Sequence, residues 1–204
     1  MNVIVDELLF RIMFSGLWMI FLANLIWVNR SAAWISGRRT SPHANRLRIA
    51  AIAFACIYLG GSLLYSLFTS SVVFLLIPLP DWLRLVMVCV AAAALLQLMW
   101  ALRELGRNWA PSLSGVRKDT ILVTTGPYGV VRHPIYLGAF IFLAALAIEA
   151  SNWVIVIPTL VLLVLLYAQL DDEEVLLIDR FGEEYRRYMK RTPRFIPRLT
   201  RKIP

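Results

Sequence analysis

Apolar residues run along this chain in long blocks, and charged residues collect in the short stretches between them. The blocks cover about Leu8–Val28, Leu47–Phe68, Trp82–Leu102, Pro134–Ala150 and Trp153–Leu170. The hydrocarbon core of a bilayer is ~30 Å thick and takes roughly 20 helical residues to cross. The pattern therefore predicts an all-α, polytopic integral membrane protein of about five transmembrane helices, a single membrane domain over residues 1–204. The run Val72–Ile77 is too short to cross and is bracketed by Pro78 and Pro80, so it is expected to form an interfacial loop. Beyond Leu170, Val175, Leu176, Ile178 and Phe181 mix with charge at helical spacing, and Glu183 stands four residues before Arg187. That pattern predicts an amphipathic C-terminal helix.

Composition sharpens the class. Hydrophobic residues make up 59% of the 204 positions, yet the formal net charge is +8. Apolar bulk with a basic remainder fits cationic loops facing anionic headgroups. A nucleic-acid binder would not carry repeated membrane-length runs, so no nucleic acid is expected, and no protein partner is indicated. Cys56 and Cys89 sit inside apolar runs without metal-type spacing, which predicts buried, inert thiols. Asp6 and Glu7 stand where a basic leader region would be, so no cleavable signal peptide is expected. Arg11, near the start of the first span, is expected to snorkel. Trp18, Trp27, Trp34, Trp82, Trp100, Trp109 and Trp153 fall mostly near span ends, as an interfacial belt would have them. Gly60 and Gly61 are expected to permit close helix contact.

Lys and Arg set the orientation. The first connection holds Arg30, Arg38, Arg39, Arg46 and Arg48; the third holds Arg103, Arg107, Arg117, Lys118 and Arg132. The tail after the last span is more basic still, whereas Thr69–Asp81 and Glu149–Asn152 carry no Lys or Arg. This alternation predicts an N-terminus outside and a cytoplasmic C-terminus. The turn Glu149–Asn152 is so short that the last two spans must be antiparallel, which brings two polar regions to one face.

The first of these regions is GPYGVVRHPIY, Gly126 to Tyr136. Gly126-Pro127 and Tyr128-Gly129 are turn signals. Pro134 suits the first turn of a helix and biases His133 toward an extended conformation, placing His133 near the N-cap. Arg132, His133 and the first-turn N–H groups would favour an anion there. The second region begins with four consecutive acids, Asp171 to Glu174, directly after the last span. Charge so near hydrocarbon is costly, and something positive should sit against Glu173 and Glu174. A ligand with one anionic group and fixed positive charge would satisfy both regions. S-adenosylmethionine is one such ligand among several.

The pairing of LVTTGPYGVVRHPIYLG with EEVLLIDRFGEEYRRYMKRTPRFIP, at opposite ends of a two-span hairpin, resembles the isoprenylcysteine carboxyl methyltransferase family in its short prokaryotic form. The resemblance covers roughly Leu105 to Pro197. It implies an S-adenosylmethionine-dependent membrane methyltransferase acting on the carboxylate of a prenylcysteine-like lipidic acceptor that enters from the bilayer. The cofactor region would comprise about residues 105–138 and 169–197 on the cytoplasmic side. No Gly-x-Gly-x-x-Gly turn of a nucleotide-binding α/β domain is offered instead. By resemblance, Thr120, Ile121, Leu122 and Val123 would line the cofactor through backbone groups. Tyr128, Arg132, His133, Pro134, Ile135 and Tyr136 would contact it, with Glu173 as the cofactor-contacting glutamate and Glu174 beside it. Glu173 and Arg194 are the candidate catalytic residues; no metal is implied. Gln169 stands where the family usually carries an Arg associated with the acceptor carboxylate, so Gln169 and Trp109 are assigned to the acceptor side and Arg194 is the substitute cation.

Three rival readings stay open. A phospholipid or amine N-methyltransferase would share the cofactor, and Gln169 favours an acceptor that needs no cation. A nicotinamide-dependent membrane reductase would need about twice as many spans. A non-enzymatic membrane scaffold would leave the acidic block and the Arg-His-Pro turn as coincidence.

Overall fold

The computed structural model describes residues 3–31, 42–68, 75–108 and 121–197. The described residues form six α-helices: α1 Val3–Ser31, α2 Pro42–Leu67, α3 Asp81–Leu105, α4 Pro134–Ala150, α5 Trp153–Phe181 and α6 Glu183–Arg191. Short 3-10 turns stand at Gly106–Asn108 and Gly126–Gly129. No strand is formed among the described residues. This is the all-α, membrane-type architecture that the apolar blocks predict. Segments of α1, α2, α3 and α5 are long and apolar enough to cross a membrane. The fifth apolar helix, α4, has 17 residues, about 26 Å at 1.5 Å per residue, slightly short of a bilayer core.

The helix ends follow from local chemistry. Pro134 opens α4 behind an extended His133, where its missing N–H costs nothing. Ser151 adopts the left-handed conformation, and Asn152 then caps α5 by accepting from the Val154 N–H at 2.9 Å. α5 is 29 residues long. Its apolar part ends at Leu170, so the stretch from Asp171 to Phe181, about 16 Å, projects beyond the hydrocarbon. The short turn at 149–152 does more than return the chain: Ile77 N donates to Ser151 O at 2.7 Å and Ser151 Oγ to Ile77 O at 2.5 Å. These bonds pin the loop before α3 to the α4–α5 turn.

α3 packs along α4 and α2 along α5, while α1 touches α2, α3 and α4. The shared core contains Phe14, Tyr58, Tyr65, Leu95, Phe142 and Leu146. Outward faces carry exposed Ile12, Met19, Ile52, Leu96 and Val164, as surfaces solvated by lipid should. Small residues let the backbones close. A Cβ at Gly61 would come within 3.0 Å of the Val154 carbonyl oxygen, so this glycine fixes the α2–α5 approach. At Gly138 a Cβ would overlap the Gln97 Oε1 and stand 3.1 Å from Leu98 Cβ. Gln97 uses its Nε2 to hold the Pro134 carbonyl at 3.0 Å, so Gly138→Ala is expected to pull that bond off the first turn of α4. A loss of about 1–3 kcal/mol is expected, read as a lowered midpoint in a thermal-shift assay in detergent.

Several expectations change. Arg11 does not snorkel: it is 2% exposed, with Nη1 donating to Tyr65 O at 2.6 Å and its guanidinium 4.7 Å from the Tyr65 ring centre. A carbonyl at the end of α2 and an aromatic face hold it inside the bundle. Cys56 and Cys89 are exposed rather than buried, on outward faces of α2 and α3. Trp27, Trp82, Trp100 and Trp153 are exposed. Trp18 instead packs inward, its ring centre 5.0 Å from that of Tyr58 and 6.4 Å from that of Phe142. Trp34, Trp109, Arg38, Arg39 and Val72–Phe74 lie outside the described residues, as do Arg198, Arg201 and Lys202.

Candidate functional site

The α4–α5 hairpin brings the start of α4 beside the projecting end of α5. Here Glu174, 6% exposed, is the centre of a knot of charge. Its Oε1 accepts from Arg132 Nη2 at 2.9 Å and Nε at 3.2 Å, from Arg194 Nε at 3.2 Å, and lies 3.0 Å from His133 Nε2. Its Oε2 accepts from Arg194 Nη2 at 2.6 Å. A carboxylate can only accept, so His133 carries its hydrogen on Nε2. His133 occupies the N-cap position but makes no side-chain cap bond, because its ring is spent on Glu174.

The tail is laced to the same point. Arg132 Nη1 donates to Thr192 O at 2.7 Å and Met189 O at 3.2 Å. Backbone bonds run from Arg132 N to Pro193 O at 2.8 Å and from His133 N to Arg194 O at 3.4 Å. Tyr188 Oη donates to Tyr128 O at 2.6 Å, so α6 is tied to the 3-10 turn of Gly126–Gly129. Phe195 completes the closure, its ring centre 5.6 Å from Phe140, 6.4 Å from His133 and 6.5 Å from Tyr167.

The four acids are not equivalent. Residues three apart on a helix share a face, so Asp171 joins Glu174 on Arg194, accepting from its Nη2 at 2.8 Å. Glu173 is turned toward α4, where Tyr136 Oη donates to its Oε2 at 2.6 Å. The anion that Arg132 and His133 hold is thus Glu174 of the chain itself, and the positive charge expected against the acids is that of Arg132 and Arg194. Asp171 and Glu174 share the Arg132 and Arg194 guanidiniums, whereas the described bond of Glu173 is to Tyr136.

Burial alone would raise the Glu174 carboxyl, but hydrogen bonds from His133, Arg194 and Arg132 outweigh it and hold the group well below the usual carboxylate range. Burial pushes the phenols of Tyr128, Tyr185 and Tyr188 well above their ordinary value, so none serves as a base at neutral pH. The sign for stability follows: a lowered folded pKa stabilises above the unfolded value and loses that contribution as pH falls toward the folded one. Thermal midpoints of the wild type are therefore expected to fall on acidification below about 4.5, the ordinary carboxyl value. Glu174→Gln should remove that part of the slope.

Of the residues assigned from sequence, Arg132, His133, Glu174 and Arg194 are in direct contact, Tyr136 holds Glu173, and Tyr128 joins through Tyr188. Pro134 and Ile135 belong to the first turn of α4, with Pro134 buried. Ile121, Leu122 and Val123 lie outside any helix, in an edge anchored by a bond from Ile121 N to Asn108 Oδ1 at 3.1 Å. Among the described residues no hydrogen bond joins that edge to the Glu174 knot. Gln169 is 2% exposed in α5 and donates to Leu165 O at 3.2 Å. Thr120 and Trp109 lie outside the described residues. The sequence reading passed over Gln97 and Asp171. Gln97 is the lone amide in the apolar run of α3, a signal of a buried polar task; Asp171 was visible only as part of its block.

S-adenosylmethionine carries a sulfonium, an ammonium and a carboxylate. The half-buried Glu173 carboxylate, outside the Glu174 knot, fits a cationic centre of that molecule, and the stretch 121–123 offers backbone groups outside any helix.

Residues 84–179 match the model of the isoprenylcysteine carboxyl methyltransferase (ICMT) family. The nickel-cobalt-cadmium resistance protein NccN of Alcaligenes xylosoxydans xylosoxydans is 35% identical over 95 residues, covering 47% of this chain and 45% of that protein. The protein-S-isoprenylcysteine O-methyltransferase of Schizosaccharomyces pombe is 34% identical over 99 residues, 48% of this chain and 42% of that enzyme. The chain thus spans under half the length of these curated relatives. A solved structure of the eukaryotic intramembrane Ras methyltransferase ICMT superposes with a TM-score of 0.52 at 23% identity, covering 78% of this chain and 54% of that one. That likeness is one of fold.

Proposed function

We propose, because residues 84–179 match the model of the isoprenylcysteine carboxyl methyltransferase family, that the chain is a membrane methyltransferase. Its cofactor is S-adenosylmethionine, and its acceptor is the carboxylate of a prenylcysteine-like lipid reaching the site from the bilayer. The observation that carries this reading is the division of labour in the acidic block. Glu174 is consumed by the fold, while Glu173 stands half-buried beside Tyr136 at the same face.

When bound, the cofactor supplies a methyl group activated by its sulfonium. Glu173, oriented by the Tyr136 hydroxyl, would hold the cationic part of the cofactor, and Ile121–Val123 would meet it through backbone groups. The Glu174 knot and Phe195 close the tail over the start of α4 and keep bulk water out. A carboxylate acceptor is already deprotonated, so no side chain has to remove a proton; the chain contributes position and desolvation. Gln169 and Trp109 are assigned to the acceptor side. Arg194 can lend positive potential there, though its Nη2 already serves Asp171 and Glu174.

The basic first and third connections and tail support an orientation with the N-terminus outside and the cofactor site cytoplasmic, in a bacterial inner membrane.

One observation favours a second reading. Gln169 is neutral and both site guanidiniums are engaged by acids, an environment that also suits an amine acceptor of phospholipid type. Membranes containing the chain are incubated with methyl-labelled cofactor and farnesylcysteine, and the product is treated with base. Volatile labelled methanol is the expected result. Label that stays base-stable on a lipid amine would replace the carboxylate acceptor with an amine.

A further inference from the structure

Four ionisable side chains, Glu7, Arg11, Arg84 and Glu149, are buried at the end of the bundle opposite the Glu174 knot. Two of them satisfy each other. Arg84 donates to both carboxyl oxygens of Glu7, at 2.5 and 3.3 Å, and through Nε to the Glu149 backbone oxygen at 2.8 Å. Its guanidinium also lies 3.7 Å from the Phe10 ring centre.

The other two are left with open valences. Glu149 is 0% exposed, and among the described residues neither carboxyl oxygen meets a donor. Arg11 spends Nη1 on Tyr65 O, and among the described residues its Nε and Nη2 meet no acceptor. The Tyr65 hydroxyl is equally buried and, among the described residues, equally without a partner; the Arg11 guanidinium lies 4.7 Å from the Tyr65 ring centre, and Glu149 is close enough to act on the phenol through its charge. Buried polar atoms are nearly always bonded to protein or to ordered water, and several dry ones together would consume a large share of a domain's net stability.

We propose that this end of the bundle encloses a hydration site, in which buried water bridges the Glu149 carboxyl, the Tyr65 hydroxyl and the open N–H groups of Arg11. Charge selects the ligand. A metal or other cation would face Arg11 and Arg84, and an anion would face Glu7 and Glu149. Water donates to the carboxyl and accepts from the guanidinium and needs neither charge. The carboxyl, phenol and guanidinium supply the polar partners a buried water requires. In a membrane-spanning chain such ionisable groups gather toward a water-holding interior. The site is remote from the proposed methyl transfer and does not rest on that reading.

Radiolytic hydroxyl labelling tests it, because bound water labels buried side chains in place. The detergent-purified full chain is irradiated and Tyr65 is compared with Tyr188, which is 4% exposed and has its hydroxyl bonded to Tyr128 O. Tyr65 is expected to label about tenfold faster than Tyr188 despite being 0% exposed. Equal, slow labelling of the two overturns the proposal. Glu149→Gln should keep the bridge and the thermal midpoint to within about 2 °C, and Glu149→Leu should lower the midpoint. A midpoint raised by Glu149→Leu would mark a dry, destabilising carboxyl and also overturns it. Should the Leu variant fail to fold, the wild-type labelling ratio decides.

Discussion

Glu174→Gln is expected to lower the stability of the chain by about 3 kcal/mol, because removing the acid from a buried ion cluster strands its cations. Arg132 and Arg194 have side chains only 11% and 27% exposed, and Glu174 is the shared acceptor of both. Arg132 would keep its bonds to Thr192 O and Met189 O, but its Nε and Nη2 would face a neutral amide. At this chain length the loss corresponds to a midpoint lowered by about 6–12 °C in a thermal-shift assay. Cofactor affinity should fall with it, since the tail is held over the start of α4 through this acid. The Gln side chain is nearly isosteric, so loss of charge rather than of volume is what the variant reports.

Glu173→Gln should do the opposite. Glu173 stands outside the knot and takes a single described hydrogen bond, from Tyr136, which an amide oxygen can still accept. The midpoint should therefore stay within about 2 °C of wild type. Its charge is what a sulfonium and an ammonium would feel, and a charge-assisted bond contributes about 1.5–3 kcal/mol. The dissociation constant for S-adenosylhomocysteine, which keeps the ammonium, should rise about tenfold or more. The two neighbouring glutamates thus separate binding from architecture: one variant should lose affinity with its fold intact, the other should lose both.

That separation could not be read from the run of letters Asp171 to Glu174. Four acids in a row announce that something positive must be near, but a helix turns about 100° per residue, and which acid meets which partner depends on the packing of α5 against α4. The start of α4 was legible because it rests on local rules: Pro134 suits the first turn of a helix, and it biases His133 away from the helical conformation. The destination of the His133 ring was not, since the choice between capping α4 and reaching Glu174 belongs to tertiary structure. The membrane-length blocks were legible from hydropathy alone. What hydropathy concealed is polarity inside them: Arg11, Arg84 and Glu149 are each diluted by apolar neighbours, yet they meet at one end of the bundle. Gln97 is the same lesson near the site, a single amide that holds the Pro134 carbonyl at 3.0 Å. The cysteines erred in the other direction, because in a bilayer an apolar run is as ready to face lipid as to face the core.

The central claim is that the hairpin of α4 and α5, closed by the tail, binds S-adenosylmethionine. It is tested most directly by isothermal titration of S-adenosylhomocysteine into the detergent-purified chain, with its thermal midpoint recorded on the same sample. Saturable binding at one site per chain, weakened in Glu173→Gln, is the expected result. The absence of binding heat at several temperatures in a sample that still melts cooperatively would contradict it.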